Sequence, residues 1–356
     1  MKKTVVVGIS GGVDSSVAAY LLKEQGYNVI GLFMNNWEEE DEADTACSSA
    51  SDWQDARAVC GALGIPVYAV NFAEEYRERV FAYFLAQYKK GRTPNPDVLC
   101  NREIKFGPFA AYAARLGADY IATGHYCAVR KATGGAQLWE AADKTKDQSY
   151  FLNQVRSEQL ENVLFPLADL AKSEVRAIAE RHGLVTAEKK DSTGICFIGE
   201  RNFKRFLSKY LPAQAGDIVD KSGRVLGRHD GLMYYTLGQR RGLGIGGIAG
   251  EEQNRWFVIE KDLAHNKLVV QNGDGEELLS SELVTDGLHC IGAPPAQNTF
   301  RAAVKTRYRQ PAQPATVTRT AAGAHIVFDT PQRAVTSGQY AVVYLGERCL
   351  GGGEIV

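Results

Sequence analysis

Eight residues near the N-terminus, Gly8-Ile9-Ser10-Gly11-Gly12-Val13-Asp14-Ser15, have the makeup of an anion-binding loop. Glycines let a backbone turn tightly and approach a ligand, and the orphan N–H groups at the start of a following helix attract negative charge. The chemistry expected here is therefore phosphate binding. The string lacks the lysine of a Gly-Lys-Ser/Thr phosphate loop and the Gly-x-Gly-x-x-Gly of a dinucleotide site, so neither of those applies. A tight strand-to-helix turn with no ligand is what the glycines alone would equally allow.

Two of the seven cysteines stand in stretches with chemical character. Asn95-Pro96-Asp97-Val98-Leu99-Cys100-Asn101 leads into a helical pattern, which puts Cys100 at or near a helix N-terminus. There the helix dipole favours the thiolate, the nucleophilic form. Asp97, three residues earlier, is a candidate general base, and Pro94 and Pro96 stiffen the approach. Cys196 lies in Asp191-Ser192-Thr193-Gly194-Ile195-Cys196-Phe197-Ile198-Gly199, and from its own glycine and apolar neighbours it reads as a buried packing cysteine. Cys47, Cys60, Cys127, Cys290 and Cys349 have no comparable context. No two cysteines have Cys-x-x-Cys spacing, which disfavours a zinc ribbon or a dithiol redox pair.

The chain has 41 Lys and Arg against 42 Asp and Glu, a formal net charge of −1, so a nucleic-acid partner would have to be held by local basic patches. Phe300–Gln310 supplies one. As a strand it puts Arg301, Lys305, Arg307 and Arg309 on one face, a stripe without acids that suits a phosphate backbone, while Tyr308, on the other face, can stack on a base if the strand bends. A solvated outer face is the plain alternative. Gln239-Arg240-Arg241-Gly242 is a second basic candidate, whereas the acidic run Glu38–Asp44 reads as a solvated loop.

The elements that must position these residues follow from hydrophobic patterning. Strands are expected at Thr4–Gly8, Asn28–Met34, Pro66–Phe72 and Tyr120–Thr123, alternating with helices at Ser15–Gln25, Asp52–Leu63, Glu74–Lys89 and Asn101–Leu116. This is the pattern of an α/β fold with a doubly wound parallel sheet. From about Lys204 short apolar runs cut by Gly, Asn and Asp take over, among them Trp256–Glu260, Lys267–Gln271 and Tyr340–Leu345, and predict β-rich structure. Three domains are expected, over residues 1–200, 201–275 and 276–356. The chain begins without the apolar core of a secretory signal and has no long apolar run; with its odd number of scattered cysteines, it is expected to work in the cytoplasm rather than in a membrane.

The SGGVDS string, placed between a strand and a helix, resembles the loop of the PP-loop ATP-pyrophosphatases. The runs NPDVLCNREIKF (95–106) and DSTGICFIGER (191–201) resemble, more narrowly, the tRNA-specific 2-thiouridylases within that family. So do Thr123-Gly124-His125-Tyr126, the run from Lys146 to Leu152, and Thr236 to Gly244. The resemblance implies a PP-loop domain, a small central β-rich domain and a C-terminal β-barrel. It implies ATP with Mg²⁺, with Asp14 and Ser15 facing the pyrophosphate and Met34 and Gly124 bordering the adenosine.

The reaction it implies is 2-thiolation of the wobble uridine, position 34, of tRNA. A donor protein, a cysteine desulfurase or a relay protein, would load Cys196 as a persulfide. The terminal sulfur, or hydrosulfide released when Cys100 attacks the persulfide as nucleophile, would displace AMP, and the two cysteines would end joined as a disulfide until reduced. Asn95, Pro96 and Asp97 would line the target base. His125, Lys146, Asp147, Gln148, Arg307, Tyr308 and Gln339 would contact the tRNA, and the enzyme would be monomeric. Two other readings stand beside this one: a PP-loop ligase that adenylates a small molecule, and a non-catalytic RNA-binding module.

Overall fold

Val5, Val6 and Val7 are all fully buried, and they face opposite ways. Val5 and Val7 pack with Val17, Leu22, Val59 and Val175, whereas Val6 packs with Leu32, Phe84, Ile104 and Phe109. A strand covered on both faces needs such an unbroken apolar run, and strands of this kind belong to parallel sheets flanked by helices.

A computed structural model of the chain describes residues 2–38, 48–191, 203–245, 255–273 and 275–356. Strand β1 (Thr4–Gly8) is central. β2 (Asn28–Asn35) lies on one side of it, with β3 (Val67–Asn71) beyond, and β4 (Tyr120–Ala122) lies on the other. The chain then leaves this sheet for a hairpin, β5 (Cys127–Ala132) and β6 (Gly135–Glu140), and returns with β7 (Val163–Leu164) beside β4. The order β3-β2-β1-β4-β7 is parallel throughout. Because the order reverses at β1, a ligand crevice opens beyond the carboxyl ends of β1 and β4.

The first helix runs from Val13 to Glu24 and the next from Ser48 to Leu63, close to expectation. The single helix expected from Asn101 to Leu116 is corrected. A short helix, Pro96–Cys100, passes into a π-helical turn, Asn101–Lys105, and a separate helix, Pro108–Arg115, follows a break at Gly107. Pro96 and Pro108 each take a position at the start of a helix, where a missing N–H costs nothing, so they begin helices instead of merely stiffening a loop.

Further along, β8 (Gly216–Val219), β9 (Val225–His229), β10 (Trp256–Asp262) and β11 (Lys267–Asn272) form a small sheet in the order β10-β11-β8-β9 around Ile218, Val258, Leu268 and Val270. The last part holds β12 (Leu279–Cys290), β13 (Thr299–Lys305), β14 (Gln313–Arg319), β15 (Gly323–Arg333), β16 (Tyr340–Leu345) and β17 (Arg348–Ile355). These run β12-β15-β14-β13-β16-β17 and close through β12–β17 pairs such as Thr285 with Ile355. The result is an antiparallel barrel. Its sheet also takes in the β5–β6 hairpin through Leu138 beside Cys349, so residues 127–140 join the barrel although they lie far from it in sequence, between strands β4 and β7 of the parallel sheet. No helix among the described residues is long and apolar enough to cross a membrane.

Candidate active site

The Gly8–Ser15 loop lies where the sheet topology opens a crevice. Ile9 continues the β1 pairing by donating to the Leu32 carbonyl at 3.0 Å. Gly11 adopts φ +74°, and a side chain there would stand 2.3 Å from the Asp52 carbonyl oxygen, so the turn requires glycine. Gly12 caps the helix in an extended conformation, and no side chain satisfies the first amides. Ser15 Oγ accepts from the Ser10 amide at 3.2 Å and donates to the Gly12 carbonyl at 3.0 Å, which pins the loop's curvature. An uncapped helix start at a switch point fits a nucleotide's phosphates.

Gly124, just past β4, closes the crevice: a Cβ there would be 2.8 Å from the Asp14 carbonyl carbon and 2.8 Å from the Ser15 amide nitrogen. Met34 lies at the end of β2, with its methyl group 3.8 Å from where a Gly8 side chain would begin. The ends of β1, β2 and β4 thus converge as expected.

Sequence reading missed the ionic frame around this loop. Lys172 Nζ donates to both Asp14 carboxylate oxygens, at 2.7 and 2.8 Å, and pairs with Asp191 at 2.8 Å. Tyr126 donates to Asp14 at 2.7 Å. Asp191 also receives Lys146 at 2.9 Å and Arg176 at 2.8 Å. Burial works against the Asp191 charge, but the Lys172 and Lys146 ammonium groups outweigh it and hold the carboxyl at about 2. Lys189 bridges Asp52 and Asp55 beside Gly11, at 2.7 and 2.5 Å. One signal was available: Lys172 is the first residue of the helix Lys172–Arg181, where the dipole disfavours a cation, so a strong partner was implied. Among the described residues no group of three or more His, Cys, Asp or Glu side chains forms a metal cage.

Cys100 is 1% exposed, and its setting corrects the sequence reading. It closes the short helix Pro96–Cys100 instead of opening one, so the orphan amides of a helix N-terminus lie a turn away, beside Asp97. The π-helical turn that follows, a form enriched at functional sites, is anchored by Asn101 Nδ2 donating to the Phe151 carbonyl at 3.1 Å. Cys196 and Cys47 lie outside the described residues, as do residues 39–44 of the acidic run; Asp191, which opens the Cys196 motif, is the part of that motif the structure places.

His125 stands between the two halves of the site. Its Nε2 lies 3.5 Å from Lys105 Nζ and its Nδ1 lies 2.7 Å from Thr123 Oγ1. Lysine only donates, so Nε2 accepts and Nδ1 carries the proton toward Thr123. Burial, and then the Lys105 charge, push the imidazole well below its ordinary 6.5. A histidine depressed in the fold contributes stability that is present above about pH 6.5 and is lost as pH falls toward the folded value. Denaturant titrations at pH 7.5 and 5.5 are expected to show His125→Gln with a shallower loss than wild type, by up to about 1.4 kcal/mol per pH unit.

The residues expected to touch RNA divide. Lys146 and Gln148 border the nucleotide crevice, Lys146 through Asp191 and Gln148 through paired bonds with the Tyr126 backbone at 2.7 and 3.1 Å. Asp147 is buried: it accepts from the Ala141 amide at 3.0 Å and Ser149 Oγ at 2.7 Å, so its carboxylate is not presented on the surface. Tyr308 packs on Phe151 with ring centroids 4.3 Å apart, next to the carbonyl that Asn101 holds.

The four-charge stripe does not form. β13 ends at Lys305, which is buried against Glu140 at 3.0 Å. Arg301 pairs with Asp329 at 2.5 Å. Arg307 Nη2 donates to the Leu237 and Ala334 carbonyls and to Thr336 Oγ1 at 2.9, 3.0 and 2.8 Å. Arg309 alone of the four is exposed without such an anchor, and Arg240 and Arg241 are exposed as well. The stripe fails because the strand stops at Lys305, and because acids from other strands meet Arg301 and Lys305 while main-chain carbonyls hold Arg307, none of which a local window shows.

Comparison with known proteins gives a consistent family. Residues 3–200 match a profile described as tRNA methyl transferase HUP domain, residues 204–272 one described as tRNA methyl transferase PRC-barrel domain, and residues 280–355 one described as aminomethyltransferase beta-barrel domain. Relatives named tRNA-specific 2-thiouridylase MnmA from Streptococcus pyogenes serotype M18 and Streptococcus uberis are each 56% identical, over 99% of this chain and 95% of theirs. One from Mannheimia succiniciproducens is 56% identical over 99% of this chain and 92% of its own. A solved NMN synthetase from Francisella tularensis aligns with a TM-score of 0.34 at 19% identity, over 54% of this chain and 67% of that one. The profile descriptions speak of methyl transfer, whereas relatives matched over nearly the whole chain are named for thiolation, and whole-chain identity of 56% decides between the two descriptions. The chain belongs to the tRNA-specific 2-thiouridylase (MnmA) family.

Proposed function

We propose that this chain is an ATP-dependent sulfurtransferase that converts the wobble uridine, position 34, of tRNA into 2-thiouridine, with release of AMP and pyrophosphate. One observation carries the reading: Gly124-His125 touches both halves of the site. Gly124 abuts the first turn of the phosphate loop's helix, and His125 reaches Lys105 in the turn that follows Cys100. A nucleotide loop and the segment of a buried thiol linked through two adjacent residues suit an activation followed by a nucleophilic substitution on the same substrate.

The amides of the Gly8–Ser15 loop would bind the phosphates, and Lys172 would supply a cation at their edge, with Asp14 receiving Mg²⁺. When bound, ATP supplies the AMP that turns the uridine C2 oxygen into a leaving group. Asn95, Pro96 and Asp97 would receive the target base, which an anticodon loop leaves open to extrusion. Asp97, in the first turn of the Cys100 helix, would take the thiol proton.

Sulfur would arrive as a persulfide on Cys196, loaded by a donor protein. Attack by the Cys100 thiolate on the Cys196 sulfur forms a Cys100–Cys196 disulfide and releases hydrosulfide. Hydrosulfide then adds at C2 and AMP departs with the oxygen, and an external dithiol reduces the disulfide. Nucleoside mass spectrometry of tRNA incubated with protein, ATP, Mg²⁺ and a persulfide donor is expected to detect 2-thiouridine with wild type and none with Cys196→Ser. Product that persists in the Cys196→Ser sample would remove the persulfide role.

A further inference from the structure

The segment that leads into the Cys100 helix is held by the barrel. Thr93 donates its amide to the Ser337 carbonyl at 2.9 Å, and its own carbonyl accepts from Gln339 Nε2 at 2.7 Å. Both backbone polar groups of Thr93 are thereby bound to residues 337–339, and Asn95 follows two residues later. Gly338, between those partners, has φ +90°, and a side chain there would lie 3.0 Å from the Thr93 nitrogen, carbonyl carbon and oxygen. The two backbones meet as closely as only glycine permits.

The clamp is itself fixed. Gly338 donates to the Ile355 carbonyl at 2.9 Å and Ile355 donates to the Gln339 carbonyl at 2.8 Å, which ties the segment to the end of β17. Arg92, just before Thr93, pairs with Glu354 of the same strand at 3.4 Å. Arg307 bonds Thr336 at one end of the clamp, and Thr93 Oγ1 lies 3.4 Å from Thr236 Oγ1 of the central domain. All three domains therefore meet on the residues that precede the base-binding segment.

From this geometry we infer that Gln339 and Gly338 are positioning residues, which set the place of Asn95–Cys100 relative to the nucleotide loop; Gln339 does this in place of the RNA contact that family resemblance implies for it. The inference rests on the thiolation reading above. Its physical basis is that Gln339's amide already donates to a partner within the protein, and that misplacing a reacting group by about 1 Å costs up to a hundredfold in rate with little effect on remote binding.

The test compares wild type with Gln339→Glu, which keeps the side chain's size but loses the donor to Thr93, and with Gly338→Ala, which adds no polar group. For each, tRNA affinity, single-turnover 2-thiouridine formation at saturating tRNA, iodoacetamide alkylation of Cys100 without tRNA, and Tm are measured. The expected result is a tRNA Kd within about twofold of wild type, a saturated rate lower by about tenfold, and Cys100 alkylation faster by about fivefold as the segment loosens. A Kd weakened by about tenfold with the saturated rate unchanged would make Gln339 an RNA contact and overturn the inference. Unchanged Cys100 alkylation in a folded variant would overturn it too. Should Gly338→Ala fail to fold, Gln339→Glu decides alone. If wild type makes no 2-thiouridine, the functional reading fails separately and the alkylation result still decides whether the clamp exists.

Discussion

Gly124→Val is expected to lower ATP-dependent pyrophosphate release by at least about a hundredfold, the scale on which losing an aligned backbone donor costs an enzyme. A Cβ at residue 124 would stand 2.8 Å from the Asp14 carbonyl carbon and the Ser15 amide nitrogen. Both neighbours are backbone in the first turn of the Val13–Glu24 helix, so neither can swing aside as a long side chain would. The loop must retreat, and with it go the amides aimed at the phosphates. Asp14, held by Lys172 and Tyr126, would resist that retreat and share the strain. A pyrophosphate-release assay at saturating tRNA, with ATP affinity from calorimetry and circular dichroism to verify folding, checks this. Near-normal turnover in a folded Gly124→Val protein would mean that the phosphates bind elsewhere.

Cys100→Ala is expected to eliminate 2-thiouridine formation, by at least about a thousandfold, while tRNA-dependent pyrophosphate release stays within a few-fold of wild type. The thiol is 1% exposed within a core that includes Val98, Ile104 and Phe84. Removing one sulfur atom there leaves a small cavity costing about 1 kcal/mol, too little to unfold the protein. The two readouts separate activation of the base, which the proposed mechanism assigns to the Gly8–Ser15 loop, from delivery of sulfur. Thiolation that survived this substitution would show that sulfur reaches the base without Cys100. Asp97→Asn is expected to fall between the two proteins, because a thiol without its base still ionises in part.

Several features were legible in the sequence for local reasons. A run of three valines between a polar start and a glycine reads as a short strand. A glycine-rich turn followed by an apolar helical face can only place amide groups at that strand's end. The bounds of Thr4–Gly8 and Tyr340–Leu345 coincide with expectation because turn residues flank both runs. The Cys100 helix was misjudged by a few residues because proline at the start of a helix and proline in a loop look alike in one dimension.

By itself, then, the sequence determined that the chain begins with a parallel α/β domain and that the Gly8–Ser15 loop stands at a strand end, whereas it put Cys100 at the start of a helix and the structure puts it at the end of one. These depend on hydrogen bonds and packing within some twenty residues. Tertiary structure alone decided that Lys172 meets Asp14 across 158 positions, that the 127–140 hairpin enlarges the barrel sheet, and that Lys305 and Arg301 pair with Glu140 and Asp329. It likewise decided that Gln339 holds Thr93 across 246 positions. Charge pairing and backbone approach between distant segments depend on how the three domains close against one another, and no window of sequence carries that information.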